Sequence, residues 1–356
     1  MSMRGKSAII GTSLFLQNTM TTRTGPQWID HFLTTDPPRA KSLVMTIFGD
    51  AIVPHGARLW LGSLIELAAP LGTADRLVRT SVFRLVQEGW LVASREGRRS
   101  SYALEPQARP RFERANRRIY APPGLDWDGG WTLLLAPNGS IDAALRAAVR
   151  KELAWEGFAM LAPGLLAHPG ADAGSVAEVV GRVGGTGKIF VCKASELPGV
   201  GARPLGELVD EGWDLSGVAA QYCHFIAQFA PLLAWLQAGP PPDPQDAFAL
   251  RTLLVHAYRR VQLHDPMLPL ALLPAPWPGS EAYALAQALY RLLAAPAQAH
   301  VLAVLRREDG AAPPADAGYY ARFGGLRQRA GAVSNPSPPA APPPSDRGSG
   351  PAPAPR

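Results

Sequence analysis

Between Arg76 and Arg99 the chain carries side chains suited to reading DNA. Arg76, Thr80 and Arg84 recur at every fourth position, and at 100° per residue they share one helix face with Gln87. Arg79 lies at the edge of that face. An α-helix fits the major groove of B-DNA, where a guanidinium can bond guanine O6 and N7 together. Arg98 and Arg99 follow in a Gly-Arg-Arg turn, where they suit phosphates or the minor groove. The competing reading is a helix-turn-helix that binds protein and leaves its arginines solvated.

A second group, His256, Arg259, Arg260, His264 and Asp265, lies in HAYRRVQLHD. A metal site needs its ligands on one face, and His264 falls at the helix end beside Pro266. Arg259 and Arg260, with His256 one turn before, suit the phosphates of a bound ligand. Salt bridges from either arginine to Asp265 or to another domain explain the same residues. GRVGGTGK at 181–188 fails as a phosphate loop. Arg182 stands where the first glycine must be, Ile189 replaces the Ser or Thr, and the apolar run follows the glycines. There is no G-x-S-x-G, and neither cysteine has an identifiable histidine partner, so nothing supports an enzyme.

Composition bounds the rest. At 356 residues, 47% hydrophobic, the chain can build two or three cores. Its net charge of +6 permits polyanionic partners without demanding them. From Arg95 to Arg118 eight arginines face three glutamates, an excess of 8 − 3 = 5, read as a basic linker after the DNA-reading stretch. Two cysteines without a C-x-x-C argue against a disulfide framework or zinc ribbon and fit a reducing, cytoplasmic compartment. No run of eighteen apolar residues occurs, so no membrane span is expected. Residues 1–20 are a poor signal peptide, because Gly-Thr-Ser breaks the apolar run and no A-x-A follows. They are expected to be part of a disordered extension, with Met20 as another possible start.

The elements that must position these residues follow from periodicity and punctuation. Residues 1–38 are expected to be unstructured. Residues 39–106 read as helix 43–48 stopping at Gly49, strand 57–60, helix 63–69, and a helix capped by Thr73 and ended by Gly89. Two strands, 90–95 and 100–104, follow. On that last helix Val78, Val82, Leu85 and Val86 fall within an arc of roughly 100°. Residues 107–128 are the basic linker. In 129–211 a strand at 131–135, helix 141–155, strand 160–167, helix 176–183 and strand 188–193 suggest a small ferredoxin-like domain. In 212–306 Asp214 caps one long helix, and Asp243 with Pro244 at N1 starts a second. Ser280 and Glu281 open a third, split at Pro296. Residues 307–356 are expected to be a disordered tail, since nine of its last 21 residues are proline.

Several blocks together resemble the PaaX family, bacterial repressors of phenylacetate catabolism. They are SLVMTIFGD (42–50), WLGSLIELAAPLG (60–72), RLVRTSVFRLVQEGWL (76–91), GRRSSYAL (97–104), WEGFAMLAPGLLAHP (155–169), HAYRRVQLHDPMLPLALLP (256–274) and WPG (277–279). The resemblance implies an α+β multidomain chain: N-terminal winged helix-turn-helix, central ferredoxin-like domain and C-terminal all-α domain. It implies a homodimer on a palindromic double-stranded DNA operator. It also implies release by an effector such as phenylacetyl-CoA, with no cofactor or metal and no membrane. The expected groove contacts are Arg76, Arg79, Thr80 and Arg84, with Arg98 and Arg99 at the wing. His256, Arg259 and Arg260 are the expected effector contacts, between the central and C-terminal domains. The central domain looks like CRISPR-associated ferredoxin-like nucleases, which carry an Asp after the first strand. Here Ala136-Pro137-Asn138 stands there, so nuclease activity is not expected. An acyl-CoA hydrolase and a protein-binding adaptor are the competing classes.

Overall fold

The computed structural model describes residues 23–326 apart from 98, 125, 138, 198, 201, 202, 310 and 311. The N-terminal third is built from α2 (Ala40–Ile47), β1 (Arg58–Trp60), α3 (Leu61–Ala68), α4 (Asp75–Gln87), β2 (Leu91–Glu96) and β3 (Arg99–Leu104), preceded by α1 (Gly25–Thr35). β3 lies between β1 and β2, antiparallel to both. Two expectations need correcting here. Residues 25–35 are not disordered: Trp28, Ile29 and Phe32 at helical spacing are buried, and Trp28 packs on Phe229 with ring centroids 5.0 Å apart. Gly49 does not stop the first helix, because the backbone continues as a π turn, Phe48–Ile52. Glycine is required there by close approach, since a Cβ would sit 2.9 Å from the Phe112 ring.

The stretch read as a basic linker is mostly a helix, α5 (Arg109–Tyr120), with Phe112, Ile119 and Tyr120 buried. Its arginines are largely occupied. Arg118 donates to the carbonyls of Trp155 (2.6 Å) and Asp265 (2.5 Å), while Arg114 pairs with Glu156 (3.6 Å) and with Glu178. α5 therefore ties the N-terminal third to both later parts. The charge excess there is in good part structural.

The central sheet comprises β4 (Gly130–Leu135), β5 (Ala159–Ala162), β6 (Leu165–Pro169) and β7 (Phe190–Ser195) in the order β5-β6-β4-β7, all antiparallel. α6 (Ala143–Trp155) and α7 (Ala173–Arg182) cover one face, burying Val149, Leu153, Val176 and Val179. The single strand expected at 160–167 is instead a hairpin. It turns at Pro163-Gly164, where Gly164 has φ 81°. The other face packs Trp131 and Ala167 against Val209 and Trp213, beside α8 (Leu205–Gly212), an element that periodicity did not reveal. Gly157 joins this unit to the last one: its φ is 89°, and a Cβ would meet the Pro266 carbonyl at 2.3 Å.

The last part is helical: α9 (Leu215–Ala238), α10 (Pro244–Gln262), α11 (Pro278–Asp309) and α12 (Ala317–Ala321). The Asp214 and Asp243 carboxylates cap α9 and α10 as the sequence predicts. Pro296 lies inside α11 without splitting it. Residues 278–305 are long and apolar enough to cross a membrane, yet α11 is the central core helix, with Leu289, Tyr290, Leu293, Ala297 and Val301 buried. The expected tail is ordered at its start, where Tyr319, Arg322 and Phe323 are buried. Its remainder, from 327, lies outside the described residues. One apolar core runs without a break from α1–α4 into α9–α11, so the first and last parts of the chain are packed as one body.

Candidate nucleic-acid interface

α4 begins at Asp75 with Ala74, not Thr73, at its N-cap, and no side chain caps it. Asp75 at N1 meets the positive end of the helix dipole instead. Val78, Ser81, Val82 and Leu85 face the core, so the register of the helix is fixed by burial. Gly89, at φ 71°, turns the chain into β2. Gly97, at φ 62°, turns β2 into β3.

This register leaves Arg76, Arg79, Thr80 and Arg84 exposed on one side. They differ in availability. Arg79 is held by Asp75 through Nε–Oδ1 at 2.6 Å and Nη2–Oδ2 at 3.2 Å. Thr80 Oγ1 donates to the Arg76 carbonyl at 2.8 Å. Arg76 and Arg84 have no hydrogen bond or ion pair among the described residues, so their guanidinium groups are free to meet a ligand. Phe83, which the wheel did not flag as functional, is 60% exposed on the same face, between Arg79, Thr80 and Gln87. An exposed phenyl ring among polar side chains was legible from the wheel, but only as an anomaly.

The β2–β3 hairpin carries Arg95 and Arg99. Arg95 Nε donates to the Gly97 carbonyl at 3.2 Å, and the Arg99 guanidinium lies 5.9 Å from the Trp60 ring centre. Arg98, expected at the tip, lies outside the described residues.

His256, Arg259 and Arg260 do not converge on one site. His256 is buried, its Nδ1 3.2 Å from Thr46 Oγ1. Burial first, then the charges of Arg259 and Arg260, push its pKa down to about 3, so it is neutral near pH 7. Arg259 Nη1 donates to the Ser42 carbonyl (3.1 Å) and to Thr46 Oγ1 (2.7 Å) of α2. Arg260 points elsewhere and pairs with Asp36 beyond the end of α1, Nη1–Oδ2 2.8 Å. His264 Nδ1 donates locally to the Arg260 carbonyl at 2.6 Å. The contacts of His256, Arg259 and Arg260 run to the N-terminal third rather than to the central unit.

The residues that sequence reasoning missed sit where the parts meet. Asp50, wholly buried in the π turn, accepts from Tyr120 (2.9 Å), Tyr290 (2.7 Å) and Arg322 Nη1 (3.1 Å) at Oδ1. Its Oδ2 lies 2.9 Å from Arg251 Nε. Burial alone raises its pKa, but the two guanidinium groups and the two phenols outweigh that and hold it below the usual carboxylate range. A lone carboxylate inside the apolar run SLVMTIFGDAIV was the available signal, because a buried charge needs a partner. Lys41 and Glu88 form a second link, from α2 to the end of α4, at 2.6 Å.

Comparison with known proteins adds a family. Residues 39–108 match the family model described as PaaX-like protein. Residues 124–204 match the PaaX protein central Cas2-like domain, and 213–303 the PaaX-like protein C-terminal domain. The chain is 38% identical over 301 residues to "Transcriptional repressor PaaX" of Escherichia coli (strain K12), covering 84% of this chain and 94% of that one. A solved structure, "Uncharacterized protein Rv0674 from Mycobacterium tuberculosis", is 25% identical with a TM-score of 0.45, covering 70% of this chain and 96% of its own.

Proposed function

The chain belongs to the PaaX family, and on that premise we propose that it is a DNA-binding transcriptional repressor of an aromatic, phenylacetate-type catabolic operon. It is a regulator, not an enzyme. The observation that carries the DNA-reading role is the register of α4, which buries Val78, Val82 and Leu85 and leaves Arg76 and Arg84 on the open side with no partner among the described residues. The strand order β1-β3-β2 beside α2–α4 supports a winged helix-turn-helix, with α4 in the major groove and the β2–β3 hairpin as the wing. In the groove Arg76 and Arg84 meet guanine edges, and Phe83 meets a thymine methyl. Arg99 meets the backbone from the wing.

The β-α-β-β-α-β order and the strand order β5-β6-β4-β7 support a ferredoxin-like central domain. Ala136 and Pro137 after β4 offer no carboxylate for nuclease chemistry. We place the domain limits at 39–106, 129–211 and 212–306, with α5 as a strut rather than a loose linker.

The operator-bound form is a homodimer in the cytoplasm, each protomer holding one half-site. The effector is a CoA thioester of an aryl acid such as phenylacetyl-CoA. Sequencing of the genomic DNA bound by the full chain tests this reading. It predicts an inverted repeat beside an aromatic-degradation operon, from which phenylacetyl-CoA releases the protein. Binding no more selective than a net charge of +6 produces would favour the adaptor reading.

A further inference from the structure

α2, the C-terminal end of α4, α5 and α10 meet without closing on one another. They enclose a cavity of about 230 Å³, and Trp155 from the central unit completes its wall. Every part of the chain thus contributes to one space. The lining is largely apolar, with four aromatic side chains, Trp90, Phe112, Tyr120 and Trp155. A cavity of about 150 Å³ accepts benzene. This one therefore holds a single aromatic ring with a few further heavy atoms, and a nucleotide does not fit inside.

Its charge is asymmetric. Lys41, Glu88, Arg259 and Asp50 all line it, and Arg251 and Arg322 stand behind Asp50. Two cations and two carboxylates line it, and with the two arginines behind Asp50 the surroundings carry an excess of 4 − 2 = 2 positive charges. Arg259, half-buried, keeps donors to spare. Only its Nη1 is bonded, to Ser42 and Thr46, and no carboxylate pairs with it among the described residues. A half-buried guanidinium with spare donors beside an apolar wall favours a ligand that brings an acceptor oxygen. Lys41 and Glu88 are each 43% exposed and bonded to one another, so they stand at the mouth.

We propose that this cavity is the ligand site that controls α4: it takes the ring of a compact aromatic acyl group, and Arg259 holds the carbonyl or carboxylate oxygen. The assignment rests on the repressor reading above and specifies how the ligand reaches the DNA-reading helix. Whatever the acyl group carries leaves past Lys41 and Glu88. An anionic extension there competes with Glu88 for Lys41 and opens the link between α2 and the end of α4. The ligand shifts α4 only as far as it binds that opened arrangement more tightly. Two sources supply this chemistry, a free aryl acid and its CoA thioester. Only the thioester carries the phosphates that would compete for Lys41.

The test is calorimetric titration of the full chain with phenylacetate and with phenylacetyl-CoA, beside release of bound operator DNA. The variants are Ala115→Phe, which fills the cavity from α5, Trp155→Ala, which enlarges it from an exposed position, and Arg259→Gln. Ala115→Phe and Arg259→Gln should weaken ligand binding roughly tenfold to a hundredfold, with operator affinity kept in Ala115→Phe. Trp155→Ala should shift preference toward naphthylacetyl-CoA. Tight binding of phenylacetate alone would name the free acid as the source and still support the site. Unchanged ligand affinity in Ala115→Phe together with unchanged size preference in Trp155→Ala overturns the proposal. So does a wild-type protein that holds operator DNA but binds neither probe, and that outcome leaves the repressor reading intact. Ligand binding with the predicted variant effects, but no DNA selectivity, would support the site and remove the repressor reading.

Discussion

Asp50 Oδ2 and Arg251 Nε lie 2.9 Å apart with both side chains wholly buried, one in the π turn after α2 and the other on α10. Arg322, from the segment after α12, reaches the same carboxylate. One acid therefore fastens the DNA-reading third to the helical core and to the end of the ordered chain. Removing it leaves two buried guanidinium groups facing each other and strips Tyr120 and Tyr290 of their acceptor. Asp50→Ala should cost about 3–5 kcal/mol. Urea unfolding checks this, as a lowered midpoint at constant m. The folded-state pKa of Asp50 is depressed, so its contribution is complete above the ordinary value of 3.8 and is lost as the pH falls below it.

His256 sets a different pH window. Its folded pKa, about 3, lies below its ordinary value of 6.5, so the unfolded chain takes up the proton first. The native state keeps its full advantage above pH 6.5 and loses it as the pH falls toward 3. Within that window this one site contributes a slope of about 1.4 kcal/mol per pH unit. Chemical denaturation between pH 4.5 and 7 should show a shallower decline in His256→Gln than in the wild type. Equal slopes would mean that His256 is not held neutral.

Phe83 offers a test of base reading that involves no charge. If its ring meets a thymine methyl, replacing thymine by uracil at one position of each half-site should weaken wild-type binding, by less than the 1–3 kcal/mol of a full base mismatch. Phe83→Ala should be indifferent to that replacement. A wild type that treats thymine and uracil alike would remove Phe83 from the interface and leave the arginines in place.

The wing acts through phosphates and so should act through salt. Arg99→Ala should weaken binding to all duplexes about equally and flatten the salt dependence by about one unit of slope. A loss confined to one base pair would mean that Arg99 reads sequence.

What the sequence made legible was local. Asp214 and Asp243 cap their helices because the signal spans three residues. The buried side of α4 was visible because Val78, Val82 and Leu85 repeat at helical spacing. Elements fixed by distant partners were hidden. α5 carries five arginines and shows an apolar side only through Phe112, Ile119 and Tyr120. Its stability comes from carbonyls and carboxylates far along the chain. α1 and the segment at 317–324 sit in Pro- and Gly-rich surroundings and fold because Trp28 meets Phe229 and Arg322 meets Asp50. For the site, the wheel found Arg76 and Arg84, but it could not show that Asp75 occupies Arg79. It also grouped Arg259 with Arg260, which face different neighbours from adjacent positions.

The most direct measurement of the central claim is fluorescence anisotropy of the full chain on two duplexes, its selected operator and a scrambled sequence of equal length, at fixed salt. Wild type should prefer the operator by roughly a thousandfold or more. Arg76→Ala and Arg84→Ala should each lose about 1–3 kcal/mol of operator binding and relax the requirement at one base position. A wild type that binds both duplexes alike, or arginine variants whose preference is unchanged, would contradict the assignment of α4 as the helix that reads DNA.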